Sequence, residues 1–315
     1  MEAPLEIVRF DQALFTADTN DFRNELLRLQ EAYPEFMTLY TTKLMQVGPL
    51  DDPSPAQVDF LRGFVTAPAY RYTYDTTQIV YPDLTEVKLE LQQALRYFKY
   101  YFPDRLAPQR LTAFHAAFNY GAIIFGDNEL GVGLEYYLGS DFPYQRMDPT
   151  APVFSYYLVR TYNRDHLVAD LMRVLVDDLL GQPPGNRLLD IMIHNGKKRY
   201  ILDRLLPYTA DTVKSEVSPA QWEWLKDNEF ELYTFLKAED LLYSSRYQDF
   251  RKLVEPSPTG APIIPQEAPG EAANYLGFRI VEAYMRRHPE YTLEDLLLKD
   301  DAQEILKESR YRPRD

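Results

Sequence analysis

The sequence predicts an α+β fold, mostly helical, with the helices packed around a small mixed β-sheet. Two observations carry this prediction. The stretch Leu111–Asp141 is apolar and glycine-rich, and part of it alternates strictly between apolar and other residues, which is typical of a half-buried strand. Long segments on both sides repeat apolar residues every three or four positions, as amphipathic helices do. The chain has 315 residues, 45% of them hydrophobic, and we expect a single domain over residues 1–315.

The amino-terminal part of the chain is predicted to contain one strand and several helices. Ile7–Phe15 is typical of a short strand that runs into a helical region. Further helices, one of them only partial, are expected over residues 21–34, 35–45, 56–64 and 68–81. The clearest helix is Thr85–Phe102, because its apolar residues recur at helical spacing and Pro103 ends it.

The central stretch is predicted to form the sheet. Leu111–Phe118 is apolar on both faces, which suits a strand in the middle of a sheet. Ile123–Phe125 and Glu129–Leu138 are expected to pair as a hairpin, because the residues between them, Gly126 to Asn128, favour a tight turn.

Two glycines in the second hairpin strand give a candidate binding face. Gly131 and Gly133 leave one face of the strand without side chains, either because a helix packs closely there or because the face is a cleft. Tyr136, Tyr137 and Tyr144 are expected to form a tyrosine-rich rim beside it, since tyrosine supplies contact area at low entropic cost. Replacing both glycines by valine is therefore expected to abolish function and leave folding intact.

The carboxyl-terminal half is predicted to be helical. Ser218 is a candidate N-cap for the helix that Pro219 opens. A proline-rich loop is expected over Ser257–Gly270. The other predicted helices cover residues 164–180, 186–205, 271–288 and, as a short pair, 293–306.

Composition narrows the classes of partner. The formal net charge is −14, which argues against nucleic acid or an anionic membrane surface as the main partner. Cysteine is absent, so no disulfide or thiol nucleophile is expected. No segment is long and apolar enough to span a bilayer.

Three groups of residues have patterns that suit chemistry, each with a simpler structural alternative. Two histidines and an aspartate have metal-site spacing but also suit separate positions on helices. Four carboxylates suit calcium or glycoside chemistry but also a solvated hairpin. An aromatic–polar group suits sugar stacking or an interface but also core packing. The metal-spaced group is His166, Asp170 and His194. The carboxylate group is Asp127, Glu129, Glu135 and Asp141. The aromatic–polar group is Gln221, Trp222, Trp224, Asn228 and Glu229.

Several segments, taken in order, resemble the gliding-motility lipoprotein GldB family of Bacteroidetes. The residues that carry the resemblance are IVRFDQALF (7–15), GVGLEYYLGSDFPYQ (131–145), IHNGKKRYILDRLLP (193–207), SPAQWEWLKDNEFELYTFL (218–236), LLYSS (241–245), PGEAANYLGFRIVEAYM (269–285) and AQEILKESRYRP (302–313).

The resemblance implies a periplasm-facing lipoprotein of the cell envelope, at the outer membrane, that is needed for gliding and linked to the associated protein-secretion apparatus. Its expected partners are other gliding or secretion lipoproteins or envelope proteins. The lipoprotein signal and lipidated cysteine are absent from this sequence, so the lipid is expected on a cysteine upstream of Met1, and the membrane is reached only through it.

The family also looks remotely similar to zinc-metallopeptidase-like domains, which implies a degenerate, zincin-like fold. The segment in the place of their H-E-x-x-H motif is Ala169–Arg173, and Asn195-Gly196 stands where a ligand-bearing Glu-Gly pair is expected. We therefore expect a pseudo-enzyme with no catalytic residue, metal or cofactor.

In that fold, Asp170, Arg173, His194 and Asn195 are expected to line a polar groove, with Asp170 and Arg173 paired on one helix face. The alternative functions are a metal-dependent hydrolase with an atypical ligand set and a glycan-binding module.

Overall fold

The computed structural model of the protein describes residues 5–257, 260 and 268–313. It confirms an α+β fold that is mostly helical and contains a small mixed sheet. The chain divides into two compact units: the first comprises residues 1–96 and 106–171, and the second residues 97–105 and 172–315. The single domain expected over residues 1–315 stays a prediction. The loop expected over residues 257–270 lies mostly outside the described residues.

The sheet belongs to the first unit and has the strand order β1-β2-β4-β3. β2 pairs in parallel with both β1 and β4, and β3 pairs antiparallel with β4 as the predicted hairpin. The prediction of a central strand is confirmed, since β2 has neighbours on both sides. The strands are β1 (Glu6–Arg9), β2 (Arg110–Phe114), β3 (Ala122–Phe125) and β4 (Glu129–Gly133).

Helices surround this sheet in the sequence. The strand-to-helix entry predicted at the amino terminus is confirmed, because β1 leads directly into α1. Residues 68–81, expected to be helical only in part, form one full helix. The helices up to residue 180 are α1 (Phe10–Phe15), α2 (Phe22–Ala32), α3 (Pro34–Leu39), α4 (Pro55–Thr66), α5 (Pro68–Val80), α6 (Thr85–Tyr101), α7 (Tyr156–Val159) and α8 (Arg164–Leu180).

The second hairpin strand is shorter than predicted. Alternation in the sequence continues to Leu138, but β4 ends at Gly133 and residues 134–137 form a 3₁₀ turn. Both neighbouring strands end at this level: Phe114 is the last residue of β2 and pairs with Gly133, and β3 begins at Ala122, opposite Val132. Beyond Gly133 no backbone partner in the described part of the chain continues the ladder, so the chain turns to local hydrogen bonds.

The second unit is built on two long helices that cross at glycines. A Cβ atom on Gly277 would lie 1.8 Å from the carbonyl oxygen of Met192, and one on Gly196 would lie 2.3 Å from the carbonyl carbon of Gly277. Only glycine lets the two backbones approach this closely. The helices after residue 180 are α9 (Leu188–Leu205), α10 (Asp211–Lys214), α11 (Pro219–Asp227), α12 (Glu229–Ala238), α13 (Tyr247–Val254), α14 (Ala272–Arg287), α15 (Leu293–Leu298) and α16 (Ala302–Ser309).

Two further sequence predictions concern helices. The predicted cap at Ser218 is confirmed, since its side-chain oxygen accepts a hydrogen bond from the backbone N–H of Gln221 at 3.2 Å. In the described part of the chain, no helix combines the length and the apolar character needed to cross a membrane.

Candidate functional site

The space beside the two hairpin glycines is filled by the first unit itself. A Cβ atom on Gly131 would lie 2.7 Å from Cγ1 of Ile123, and one on Gly133 would lie 2.2 Å from the carbonyl oxygen of Tyr120. The ring of Phe114 covers both positions, at 3.1 and 3.2 Å. The open cleft expected there is therefore absent from the described residues, and close packing accounts for both glycines.

The three tyrosines expected to form a rim point into the first unit. Tyr144 is completely buried and Tyr137 is 2% exposed. The Tyr137 hydroxyl donates to Asp170 at 3.0 Å, and the Tyr144 hydroxyl accepts from the backbone N–H of Leu138 at 3.0 Å. Tyr136 is half-buried and donates to a backbone carbonyl. These tyrosines therefore stabilise the turn after β4, and a binding role for them stays a prediction.

A buried polar pair that sequence reasoning did not connect lies under the same turn. Glu135 is completely buried, and its Oε1 accepts from the backbone N–H groups of Ala116, at 2.7 Å, and Phe118, at 3.3 Å. Ala117 and Phe118 have positive φ angles of 53° and 60°, so these N–H groups form a concave anion-binding turn. Nδ1 of His115 lies 3.7 Å from the same carboxylate oxygen.

Burial shifts the protonation of this pair. Loss of solvation raises the pKa of Glu135 to about 7 and lowers the pKa of His115 to about 3. The other three carboxylates of the group singled out in the sequence lie elsewhere: Asp127 and Asp141 are exposed, and Glu129 pairs with Arg110 at 2.9 Å. The four do not form one carboxylate site.

The raised pKa of Glu135 predicts a pH-dependent effect of Glu135→Gln. A carboxyl group whose pKa is higher in the folded state stabilises that state below its unfolded pKa, and the contribution is lost as pH rises through the folded value. We therefore expect the stability of Glu135→Gln relative to the unsubstituted protein to rise between pH 4.5 and about 7, by on the order of 3 kcal/mol. Denaturant unfolding of both proteins across this range measures the difference, in which the contribution of His115 cancels. A difference that stays constant with pH would contradict the assignment.

The second unit contains a pocket of about 300 Å³ lined by α9, α10, α11 and α14. Two helices line it with residues three and four positions apart, which lie along one side of a helix. On α9 these are Asn195, Lys198, Arg199 and Leu202; on α14 they are Asn274, Tyr275 and Phe278, preceded by Glu271 just before the helix.

The glycine crossing between α9 and α14 sets the geometry of this pocket. Because the two backbones touch at Gly196 and Gly277, the neighbouring side chains meet across the helices. Nδ2 of Asn195 donates to Oδ1 of Asn274 at 2.8 Å, and Asn274 in turn donates to the carbonyl oxygen of Val254 at 3.1 Å. The floor of the pocket is thus a fixed amide network.

Another part of the pocket lining is aromatic and cationic. The Arg199 guanidinium lies 4.7 Å from the ring centre of Phe278 and 5.9 Å from that of Trp222, within the range of a cation–π interaction. Trp222 meets Tyr275 edge to face at 5.5 Å. Nε of Arg199 donates to Ser215 at 2.8 Å. Arg199 is therefore held by Phe278, Trp222 and Ser215 and has little freedom of movement.

Every cation that lines the pocket has an acidic partner within the second unit. The pairs are Arg173–Glu216 at 3.5 Å, Lys198–Asp177 at 2.6 Å, Arg199–Asp211 at 2.8 Å and Lys214–Asp211 at 3.2 Å. Arg199 and Lys214 outweigh the effect of burial on Asp211 and lower its pKa. The polar part of the lining is therefore preorganised, with its charges largely balanced.

The four residues expected to line a degenerate groove are distributed over both units. Arg173 and Asn195 both line the pocket, while the groove expected from all four residues stays a prediction. Asp170 belongs to the first unit, where it accepts the hydrogen bond from Tyr137; its pairing with Arg173 stays a prediction. His194 is buried in α9, and burial together with Lys198 and Lys197 lowers its pKa to about 4.

Sequence reasoning missed Lys198, Arg199, Asn274 and Tyr275. The signal that could have found them is the shared i, i+3, i+4, i+7 spacing of polar and aromatic residues on two helices that each contain a glycine.

Several residues of the remaining candidate groups have structural partners. Trp222 lines the pocket, but Glu229 instead accepts hydrogen bonds from Tyr275 and Tyr311, both at 2.7 Å. Nδ1 of His166 lies 3.1 Å from the side-chain oxygen of Asn163. Among the residues that the structure describes, no three His, Cys, Asp or Glu side chains are grouped so as to hold a metal ion.

Comparison with known families supports the resemblance seen in the sequence. A family model described as gliding motility protein GldB matches residues 1–313, nearly the whole chain. No curated protein and no solved structure matches the chain.

Proposed function

The chain belongs to the gliding motility protein GldB family, and from this premise we propose that it is a non-catalytic recognition component of the cell envelope. Membership implies a part in gliding motility and an association with the envelope. In our proposal, the pocket of the second unit receives a short segment of a partner protein.

One observation carries this proposal: the pocket combines aromatic walls with a fixed network of amides and charges. Trp222, Tyr275 and Phe278 offer apolar surface, while Asn195 and Asn274 offer hydrogen-bonding groups that are already oriented. Concave sites of this kind, mostly apolar with a few placed polar groups, bind ligands with little reorganisation.

The arrangement of possible nucleophiles supports a non-catalytic role. Ser215 and Tyr275 supply the hydroxyl groups of the described lining, and histidine is absent from it. The oxygen of Ser215 accepts from Arg199, and the hydroxyl of Tyr275 donates to Glu229. A serine activated for catalysis is instead hydrogen-bonded to a general base.

The finer parts of the proposal follow from the resemblance. We place the chain at the periplasmic side of the outer membrane, anchored by a lipid upstream of Met1, with a gliding or secretion lipoprotein or another envelope protein as its partner. The zincin-like ancestry and the loss of a peptidase site belong to the same proposal. The absence of H-E-x-x-H in the sequence supports the loss of the peptidase site.

Filling the pocket tests the proposal in cells. Val217 lines the pocket and is half-buried, so Val217→Trp is expected to occupy the space meant for the partner. Cells that carry this variant as their only copy should stop gliding. The matched control is Val80→Trp, because Val80 is 41% exposed on α5 in the first unit; its cells should glide normally.

Protein level and thermal unfolding, measured for both variants, separate loss of binding from loss of folding. A Val217→Trp protein that accumulates normally in cells that glide at the normal rate would overturn the proposal. Stoichiometric zinc in the purified protein, with peptidase activity that Val217→Trp removes, would support the hydrolase alternative instead. Specific binding of soluble sugars that Val217→Trp removes would support the glycan-binding alternative.

A further inference from the structure

A second surface of the second unit has a charge opposite to that of the chain. Among the residues that the structure describes, six cationic side chains and one carboxylate line a depression of about 690 Å³, although the chain as a whole carries a formal net charge of −14. Its cations come from α11, α14 and the carboxyl-terminal segment. They are Lys226, Arg279, Arg286, Arg287, Arg310 and Arg312, and we call this surface the arginine surface.

The carboxyl-terminal segment is fixed in place by its tyrosine. Arg310 ends α16 with a positive φ of 47°, which turns the chain away from the helix axis. The hydroxyl of Tyr311 then donates to Glu229 at 2.7 Å, and its ring meets Tyr233 edge to face at 5.3 Å. Arg310 and Arg312 flank this anchored residue and are both exposed. Tyr311 therefore holds both guanidinium groups at the surface.

Glu229, the carboxylate of the described lining, is already engaged. Glu229 accepts hydrogen bonds from Tyr275 at 2.7 Å and from Nε of Arg279 at 3.1 Å, in addition to the one from Tyr311. Three donors satisfy most of the hydrogen-bonding capacity of this carboxylate. Glu229 therefore organises the arginine surface and neutralises mainly Arg279.

Several cations of the arginine surface remain available to a ligand. Arg310 and Arg312 have no ion-pair partner among the described residues. Arg287 donates to the carbonyl oxygen of Ser309 at 2.8 Å. Because this carbonyl is neutral, the contact does not neutralise the charge of Arg287. Arg286 is 69% exposed and lies 3.7 Å from Glu282, a distance at which an exposed ion pair is weak.

We propose that the arginine surface docks an acidic segment of a partner protein, one with several aspartate or glutamate side chains. Five of the six cations are arginines, whose planar guanidinium groups bind carboxylates through two parallel hydrogen bonds. The depression has room for several side chains of such a segment. Complementary charge would also speed its association.

An acidic peptide fits this surface better than an anionic bilayer does. A bilayer is an extended negative plane, so it would also face the acidic remainder of a chain with net charge −14. A short peptide lies within the patch, and charges beyond about 8 Å are largely screened at physiological salt. Local positive charge therefore favours the peptide, while total charge disfavours the membrane.

Binding to synthetic probes tests the proposal on the full chain. A fluorescent glutamate-rich peptide is titrated with the protein, and the same peptide with glutamine is the neutral counterpart. We expect the protein to bind the acidic peptide and not its neutral counterpart, and added salt should weaken this binding. The variant Arg310→Glu/Arg312→Glu should bind the acidic peptide about tenfold or more weakly than the unsubstituted protein does. The control is Arg246→Glu/Arg251→Glu in the same unit, which makes the same charge change at side chains that are 83% and 53% exposed and should bind normally.

The possible results separate the alternatives. Arg286→Glu, tested alone, should also weaken binding, which keeps the proposal testable if the double variant folds poorly. Equal weakening by the two double variants would show that only total charge matters and would overturn the proposal. Binding to vesicles of equal parts phosphatidylcholine and phosphatidylglycerol without binding to the acidic peptide would overturn it in favour of a membrane. This surface is separate from the pocket, so Val217→Trp should bind the acidic peptide normally.

Discussion

Gly277→Val is expected to unfold the second unit. Even the first atom of a side chain at this position would lie 1.8 Å from the carbonyl oxygen of Met192 and 2.5 Å from its carbonyl carbon. The obstacle is backbone on α9, which cannot move aside as a side chain can. Separating α9 from α14 would break the packing of the two main helices of the unit and the Asn195–Asn274 hydrogen bond. We expect a loss above about 3 kcal/mol, at the upper end for overpacked cores.

A glycine on a helix surface provides the control for this prediction. Gly63 lies exposed on α4, and apart from the backbone of its own helix and its chain neighbours no atom lies within 4 Å of where its Cβ would be. Gly63→Ala should stabilise the protein by about 0.5–1 kcal/mol, because alanine favours the helix and restricts the unfolded chain. Denaturant unfolding followed by circular dichroism measures both variants. A cooperative, near-normal transition in Gly277→Val would show that α9 and α14 do not meet as described.

Gly133→Ala is expected to destabilise the first unit strongly. Its Cβ would lie 2.2 Å from the backbone carbonyl oxygen of Tyr120, so the strand and the facing loop must separate. We expect a loss of about 3 kcal/mol. Gly131→Ala is the graded comparison, because its nearest obstacle is the flexible side chain of Ile123 at 2.7 Å; it should cost only about 1 kcal/mol.

This prediction replaces the one made from the sequence, in which valines at both positions left folding intact. Unfolding free energies of Gly131→Ala and Gly133→Ala, measured side by side, decide between the two. Unchanged stability in Gly133→Ala would mean that the face above β4 is open, as the sequence alone suggested.

Local patterns predicted the elements whose formation depends on neighbouring residues. Apolar spacing located α8 at Arg164–Leu180, and turn residues located the hairpin of β3 and β4. The end of β4 was missed because it depends on where β2 and β3 end, which the alternation in β4 does not record. In the sequence, the two glycines of β4 were compatible with either a cleft or close packing. The position of Phe114 in the structure favours close packing.

Sites assembled from distant segments were harder to predict. Arg173 and Asn195 were singled out only as part of a degenerate groove, and their pocket neighbours Asn274 and Tyr275 come from a helix about eighty residues further along the chain. Composition suggested an acidic surface throughout. The arginine surface escaped notice because three separate segments contribute its charges. Likewise, Glu135 looked like a hairpin charge, since nothing local indicates that it is buried.

Site-specific photocrosslinking tests most directly whether the pocket of the second unit receives a partner protein. A photoreactive residue in place of Val217, in cells that still glide, should form an adduct with one envelope protein whose own deletion stops gliding. The same residue in place of Val80, which lies exposed on the first unit, should not form that adduct. If the two positions give the same adducts, or if Val217 gives none while the protein is folded and at the envelope, the pocket is not where a partner is recognised.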